Sequence, residues 1–216
     1  MIWLISILTV IAAYLIGSVN TSIILSKALY GSDIRQTGSG NAGTTNMLRT
    51  HGKKMAAFTL IGDVLKGVVA VLLAMLADNQ LADVPANGTL LASLPYIAGF
   101  FVVLGHNFPV FFQFRGGKGV ATSLGVILTL DWKIGLTVLV IALAIMAISR
   151  YVSLGSVIAA FLFPVLHLAS GLIGGDIDVM SVVFAAALAV LIIARHHSNI
   201  SRLIRGTENK LGAKKE

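Results

Sequence analysis

Three polar segments interrupt this 216-residue chain, and their residue types suit one task, the holding of anions. The first, GSDIRQTGSGNAGTTNMLRTHGKK, runs from Gly31 to Lys54. Gly38, Gly40 and Gly43 allow backbone N–H groups to turn toward a bound anion, and Ser39, Asn41, Thr44, Thr45 and Asn46 add side-chain donors beside Arg49. A hydrated connector uses the same residue types, because Gly, Ser and Asn also make ordinary turns. The second segment, GHNFPVFFQFRGGKGVAT, from Gly105 to Thr122, sets Gly116, Gly117, Lys118 and Gly119 immediately before an apolar run. Glycines, a lysine and a helix N-terminus together make a phosphate cradle. The spacing is not that of a P-loop, which needs G-x-x-x-x-G-K followed by Ser or Thr, so nucleotide hydrolysis is not indicated. The third segment, RHHSNISRLIRGTENK, runs from Arg195 to Lys210. On a continuing helix His196, Asn199 and Arg202 recur every three residues and share one face, with Glu208 beyond them. Arg205, Lys214 and Lys215 fit a basic tail touching anionic lipid.

The elements that must position these segments are apolar and long. The chain is 56% hydrophobic and 12% charged, with a mean hydropathy of +0.91, a balance that no water-exposed surface of this size tolerates. It reads as one all-α integral membrane domain over residues 1–216. Apolar runs of helical length occupy Ile2 to Leu25, Met55 to Ala77, Leu90 to Leu104, Val120 to Leu130, Ile134 to Ser149, Val152 to Leu172 and Val179 to Ala194. Seven spans are therefore expected. A bilayer asks for roughly 20 residues, so the fourth is short. If all seven cross, the loops after the first, third, fifth and seventh share one side, and that side holds all 16 Lys and Arg residues except Lys66 and Lys133. By the positive-inside rule the N-terminus lies outside and the C-terminus in the cytosol. The three polar segments then share the cytosolic face of the membrane. The first run lacks a basic leader and a small-residue cleavage site and is expected to be a retained span.

Several classes of function are disfavoured. The chain has no cysteine, which removes disulfides, thiolate metal sites and thioester-forming nucleophiles. Its net charge of +7 sits at span ends and in loops, which suits anionic lipid or substrate better than nucleic acid. The polar loops carry too few carboxylates for a hard-cation cluster, and no metal or cofactor is expected. Within the runs, Asp63 and Lys66 stand three residues apart, a spacing that permits a structural ion pair or a role in a site. His167 is expected to be packed, and Asn20 and Ser22 stand near the inner end of the first span. Phe108, Phe111, Phe112 and Phe114 fit an interfacial belt or an acyl groove. A phosphate-ester transporter would also combine many helices, an anion site and an intramembrane ion pair, although such sites usually lie near mid-membrane between related halves.

Taken together, GSGNAGTTNMLR (38–49), GHNFPVFFQFRGGKGVAT (105–122) and HHSNISRLIRGTENK (196–210) closely resemble the three motifs of the bacterial acyl-phosphate-dependent glycerol-3-phosphate acyltransferases. The likeness extends to KALYGSDIR (27–35) and to D-x-x-K-G at Asp63 to Gly67. The resemblance implies transfer of a fatty acyl group from acyl phosphate to the 1-hydroxyl of glycerol 3-phosphate, at the bacterial inner membrane. The enzyme that produces acyl phosphate is then a candidate partner. Carried over residue by residue, the resemblance implies catalytic roles for Ser39, Lys118, His196 and Asn199. It implies substrate contacts from Asn41, Thr45, Asn46, Arg49, His106, Gly116, Gly117, Gly119, Arg202 and Glu208, and the backbone of Gly38 and Gly40 is expected to join them as part of the anion-binding first segment. The H-x-x-x-x-D pair common in other acyltransferases is absent, since no His is followed five residues on by Asp.

Overall fold

The computed structural model describes residues 2–79 and 94–212, and among these it is helical with no strand. The start of the third apolar run at Leu90, and Lys214 and Lys215, lie outside the described residues. The chain divides into two compact units, one ending at Leu130 and the other beginning at Asp131.

In the first unit the opening run breaks into α1 (Ile2–Ser18) and α2 (Thr21–Tyr30). The break is made by Asn20, whose side chain accepts from the Ile23 N–H as an N-cap. A 3₁₀ turn at Ile34–Gln36 leads into α3 (Thr44–Asn79). Within α3, Gly52 leaves the helix at φ 83°, a conformation that an L side chain resists, so residues 44–51 form a short arm set off from the rod of 53–79. Then come α4 (Leu94–Asn107), a second 3₁₀ turn at Val110–Phe112, and α5 (Val120–Leu130).

Helix α1 packs on α4, and α3 packs on α5, α4 and α1. In an apolar solvent the hydrophobic effect does not hold helices together, and close backbone approach takes over. Gly17 lies on the Val102 carbonyl while Gly105 lies on that of Tyr14, and Gly67 lies on the Thr122 carbonyl while Gly125 lies on that of Val64. The α1–α4 and α3–α5 pairs are thus each joined by reciprocal glycines. Outward from these seams, α3 presents Phe58, Ile61, Leu65, Val69, Leu72 and Leu76, an exposed apolar stripe suited to lipid.

The second unit holds α6 (Trp132–Ser149), α7 (Val152–Gly174), α8 (Val179–Arg195) and α9 (His197–Ile204). Asp131 caps α6 through the Lys133 and Ile134 N–H groups, and Asp178 caps α8 through Met180. Helix α7 packs on both α6 and α8. His167 is packed as expected, edge-on to Phe163 at 4.8 Å. After α9 the chain returns to the turn between α6 and α7, where the Leu211 N–H donates to the Arg150 carbonyl at 2.7 Å.

A helix stands at each of the seven expected places, but their lengths differ. Among the described residues five stretches are long and apolar enough to cross a bilayer: Trp3–Tyr30, Thr44–Asn79, Leu94–Phe112, Trp132–Ser149 and Val152–Gly174. A sixth follows if α8 and α9, bent by 62° at their junction, count as one. Helix α5 has 11 residues, because Gly119 ends the loop before it and the capping Asp131 starts a new helix directly after it.

Candidate active site

The first polar segment is built around a side chain. Asn46 is 1% exposed at the head of α3. Its Oδ1 accepts from the Ser39 N–H at 2.8 Å, and its Nδ2 donates to the Ile34 and Thr37 carbonyls, each at 3.0 Å. Those three bonds fold residues 34–46 into a closed loop. Gly38, at φ 60°, has the Asn46 amide where a Cβ would stand. Around this staple, Gly38, Ser39, Gly40 and Arg49 remain exposed, and Asn41 and Thr45 are half-buried. Thr45 falls in the first turn of α3, where unpaired N–H groups favour a negative charge.

The second segment folds back on the helix it leaves. The Gly116 N–H donates to the Asn107 carbonyl and the Gly117 N–H to that of His106, each at 3.1 Å. A β-carbon on Gly116 would strike the His106 carbonyl, and one on Gly117 would strike both the His106 ring and the Ala42 carbonyl. Glycine is required here by close approach. Gly119 turns at φ 85° into α5, whose first bond runs from the Ser123 N–H to the Gly119 carbonyl at 2.7 Å. Lys118, half-buried, therefore stands one residue before that turn and two before a helix N-terminus.

Arg35 joins the two segments. Its guanidinium grips Asp33 at 3.0 and 2.7 Å, and its Nη1 donates to the Phe112 and Arg115 carbonyls at 2.7 and 3.0 Å. The Arg35 hydrogen bond, outweighing burial, holds the Asp33 carboxyl down to about 2, with Arg35 and Lys27 adding attraction. The Ala42 carbonyl on the first segment and the His106 ring both lie against Gly117 on the second. Beneath them His106, 3% exposed, places its Nδ1 2.8 Å from the Nζ of Lys66, and Lys66 pairs with Asp63 at 2.9 Å. Among the described residues no group of three His, Asp or Glu side chains is placed to hold a metal ion.

In the second unit His196 stands at the bend between α8 and α9. Its Nδ1 bonds the Ile192 carbonyl at 2.8 Å. A carbonyl only accepts, so Nδ1 carries the proton and the lone pair of the neutral ring lies on Nε2. Glu208 accepts at Oε1 from Ser153 (2.8 Å) and Asn199 (2.7 Å), and at Oε2 from Arg202 Nε (2.7 Å). Burial alone would raise the Glu208 carboxyl, but the hydrogen bonds from Asn199, Arg202 and Ser153 and the charge of Arg202 hold it below the ordinary glutamate value. Both of its oxygens are engaged by the protein, so it anchors the tail after α9 to that helix and to α7.

The expected site residues thus separate into two kinds. Ser39, Arg49 and Lys118 are accessible, whereas Asn46, His106, Asn199 and Glu208 are buried and bonded to protein groups. Sequence reasoning passed over Arg35 and Ser153, which bond across separate segments, and Asn107, whose buried amide lies beside Gly119. Only the strings around Arg35 and Asn107 pointed to them.

The comparisons with known proteins fall on this same framework. Residues 7–206 match the family model described as glycerol-3-phosphate acyltransferase. A glycerol-3-phosphate acyltransferase of Clostridioides difficile is 45% identical over 210 residues, covering 97% of each chain. A crystal structure of PlsY (YgiH), an integral membrane glycerol 3-phosphate acyltransferase, in its glycerol 3-phosphate form, superposes with a TM-score of 0.83 at 36% identity over 96% of each chain. The lysophosphatidic acid form of PlsY gives 0.80 at 34% identity over 96% of this chain and 95% of that one. The chain belongs to the glycerol-3-phosphate acyltransferase family.

Proposed function

We propose that this chain transfers a fatty acyl group from acyl phosphate to the 1-hydroxyl of sn-glycerol 3-phosphate, releasing lysophosphatidic acid and inorganic phosphate as the first step of phospholipid synthesis. The observation that carries the reading is the Gly116–Gly119 loop folded back on the end of α4, with Lys118 just ahead of the α5 N-terminus. Such a loop offers backbone N–H groups and an ammonium to a phosphate and leaves no side chain in the way. Family membership supports the acceptor, and the motifs support the acyl phosphate donor.

Both substrates are phosphate anions, so the reaction needs cations and backbone dipoles to keep them close. Lys118, Arg49 and the backbone of Gly38, Gly40, Gly116, Gly117 and Gly119 supply these. Asn41, Thr45 and Arg202 add contacts to the same substrates. Ser39, Asn199 and His196 position the attacking hydroxyl, the His196 Nε2 lone pair accepting its hydrogen bond. The hydroxyl oxygen bonds to the acyl carbon, the bond from that carbon to the phosphate oxygen breaks, and the leaving phosphate takes the proton. No protein base is required, because the donor is already activated and binding supplies orientation. Asn46, His106 and Glu208 serve by holding these groups in place.

We place the chain in the inner membrane with seven spans, the short α5 included, as a single functional domain. Its N-terminus is outside, its C-terminus and motifs are cytosolic, and the enzyme that makes acyl phosphate is a partner. Lys118→Ala tests the chemistry. It is expected to abolish turnover in a folded protein, and near-parental rates would defeat the assignment.

A further inference from the structure

The Asp63–Lys66 pair lies inside the helical unit, 1% and 7% exposed. Replacing such a pair by packed hydrocarbon is often neutral or stabilising, so holding helices together does not explain it. Its geometry offers something hydrocarbon lacks. The Lys66 ammonium has three hydrogens and meets three acceptors: the Val19 carbonyl at 2.9 Å, Asp63 Oδ1 at 2.9 Å and His106 Nδ1 at 2.8 Å. The Val19 carbonyl is available because the chain breaks there between α1 and α2. Asp63 Oδ1 is fixed in turn by the Thr21 hydroxyl at 3.3 Å.

An ammonium has no acceptor, so His106 Nδ1 must accept, and the proton of the neutral ring is on Nε2. The Nε2 edge lies against Gly117 and beside the Ala42 carbonyl. One ring, clamped from below, thus lies against Gly117 at the point where the Ala42 carbonyl of the first segment also arrives. We infer that Asp63 and Lys66 are positioning residues that act through His106, fixing its tautomer and ring plane so that the Gly116–Lys118 backbone is held in its phosphate-binding shape. The inference rests on the reading of that loop as the phosphate site. It assigns the D-x-x-K-G string to the second motif rather than to substrate.

The test replaces both charges at once, Asp63→Leu with Lys66→Met, so that no lone buried ion remains. The full-length variant, purified in detergent, is expected to keep the parent's thermal midpoint yet form lysophosphatidic acid at least about tenfold more slowly at limiting glycerol 3-phosphate, because a displaced loop misaligns the bound phosphate. His106→Gln should show a comparable loss, and the triple variant should lose no more than His106→Gln alone, since all three act along one path. A folded double variant with parental KM and kcat, or a triple variant whose losses multiply, overturns the inference. Nitrogen-15 NMR of histidine-labelled parent protein tests it without any substitution: a proton on His106 Nε2 supports it, and one on Nδ1 overturns it. Parental turnover separates the two readings. An inactive parent defeats the acyl-transfer reading, whereas an active parent with an equally active double variant defeats only the positioning role.

Discussion

The Asn46 side chain and the Ser39 backbone are joined by a 2.8 Å hydrogen bond across the first motif, and the same amide donates to the Ile34 and Thr37 carbonyls. The exposed serine is therefore set by a buried residue seven positions later in the chain.

Asn46→Ala removes all three bonds of a side chain that is itself 1% exposed. The variant is expected to lose roughly 2 kcal/mol of stability, the usual order for unpaired buried polar groups. Its KM for glycerol 3-phosphate should rise more than its kcat falls, because the loop that holds the substrate loosens before the reacting groups are touched. Thermal melts in detergent and initial-rate kinetics on one preparation check both.

Gly117→Ala carries a different expectation. The added β-carbon meets the His106 ring and the Ala42 carbonyl, neither of which can move without disturbing a motif. Activity should fall on the order of 100-fold. Gly174→Ala, where a β-carbon meets open space, should leave it unchanged and serves as the control.

Glu208 makes a statement about pH. Its folded-state value lies below the ordinary 4.5, so the stability it contributes is complete above that value and fades as pH falls through the lower, folded-state value. Limited proteolysis between pH 7 and pH 3 should show the segment after Arg205 becoming cleavable toward the acid end. In Glu208→Gln the acid-dependent change should be lost, leaving a tail of similar susceptibility at both ends of the range.

Local pattern revealed more than tertiary pairing did. Apolar runs located a helix at every expected place, because the period and length of hydrophobic stretches are local properties. The motifs located the loops for the same reason. The break at Gly52, the extension of the first run to Tyr30 and the 62° bend at His196 were not legible, since each depends on what the backbone packs against. Asn46, His106 and Glu208 illustrate the limit of carrying over a motif. A motif marks positions that matter, and only the hydrogen bonds separate a side chain that reaches outward, such as Arg49, from one that holds the others in place. Arg35 shows the reverse: its two carbonyl partners lie 77 and 80 residues away, beyond any local pattern.

The most direct measurement is lysophosphatidic acid formation by the purified, detergent-solubilised chain given glycerol 3-phosphate and either palmitoyl phosphate or palmitoyl-CoA. Product, with one phosphate released per acyl transferred, is expected from palmitoyl phosphate alone. Product from the CoA ester alone would contradict the donor assignment, and product from neither in well-folded protein would contradict acyl transfer itself.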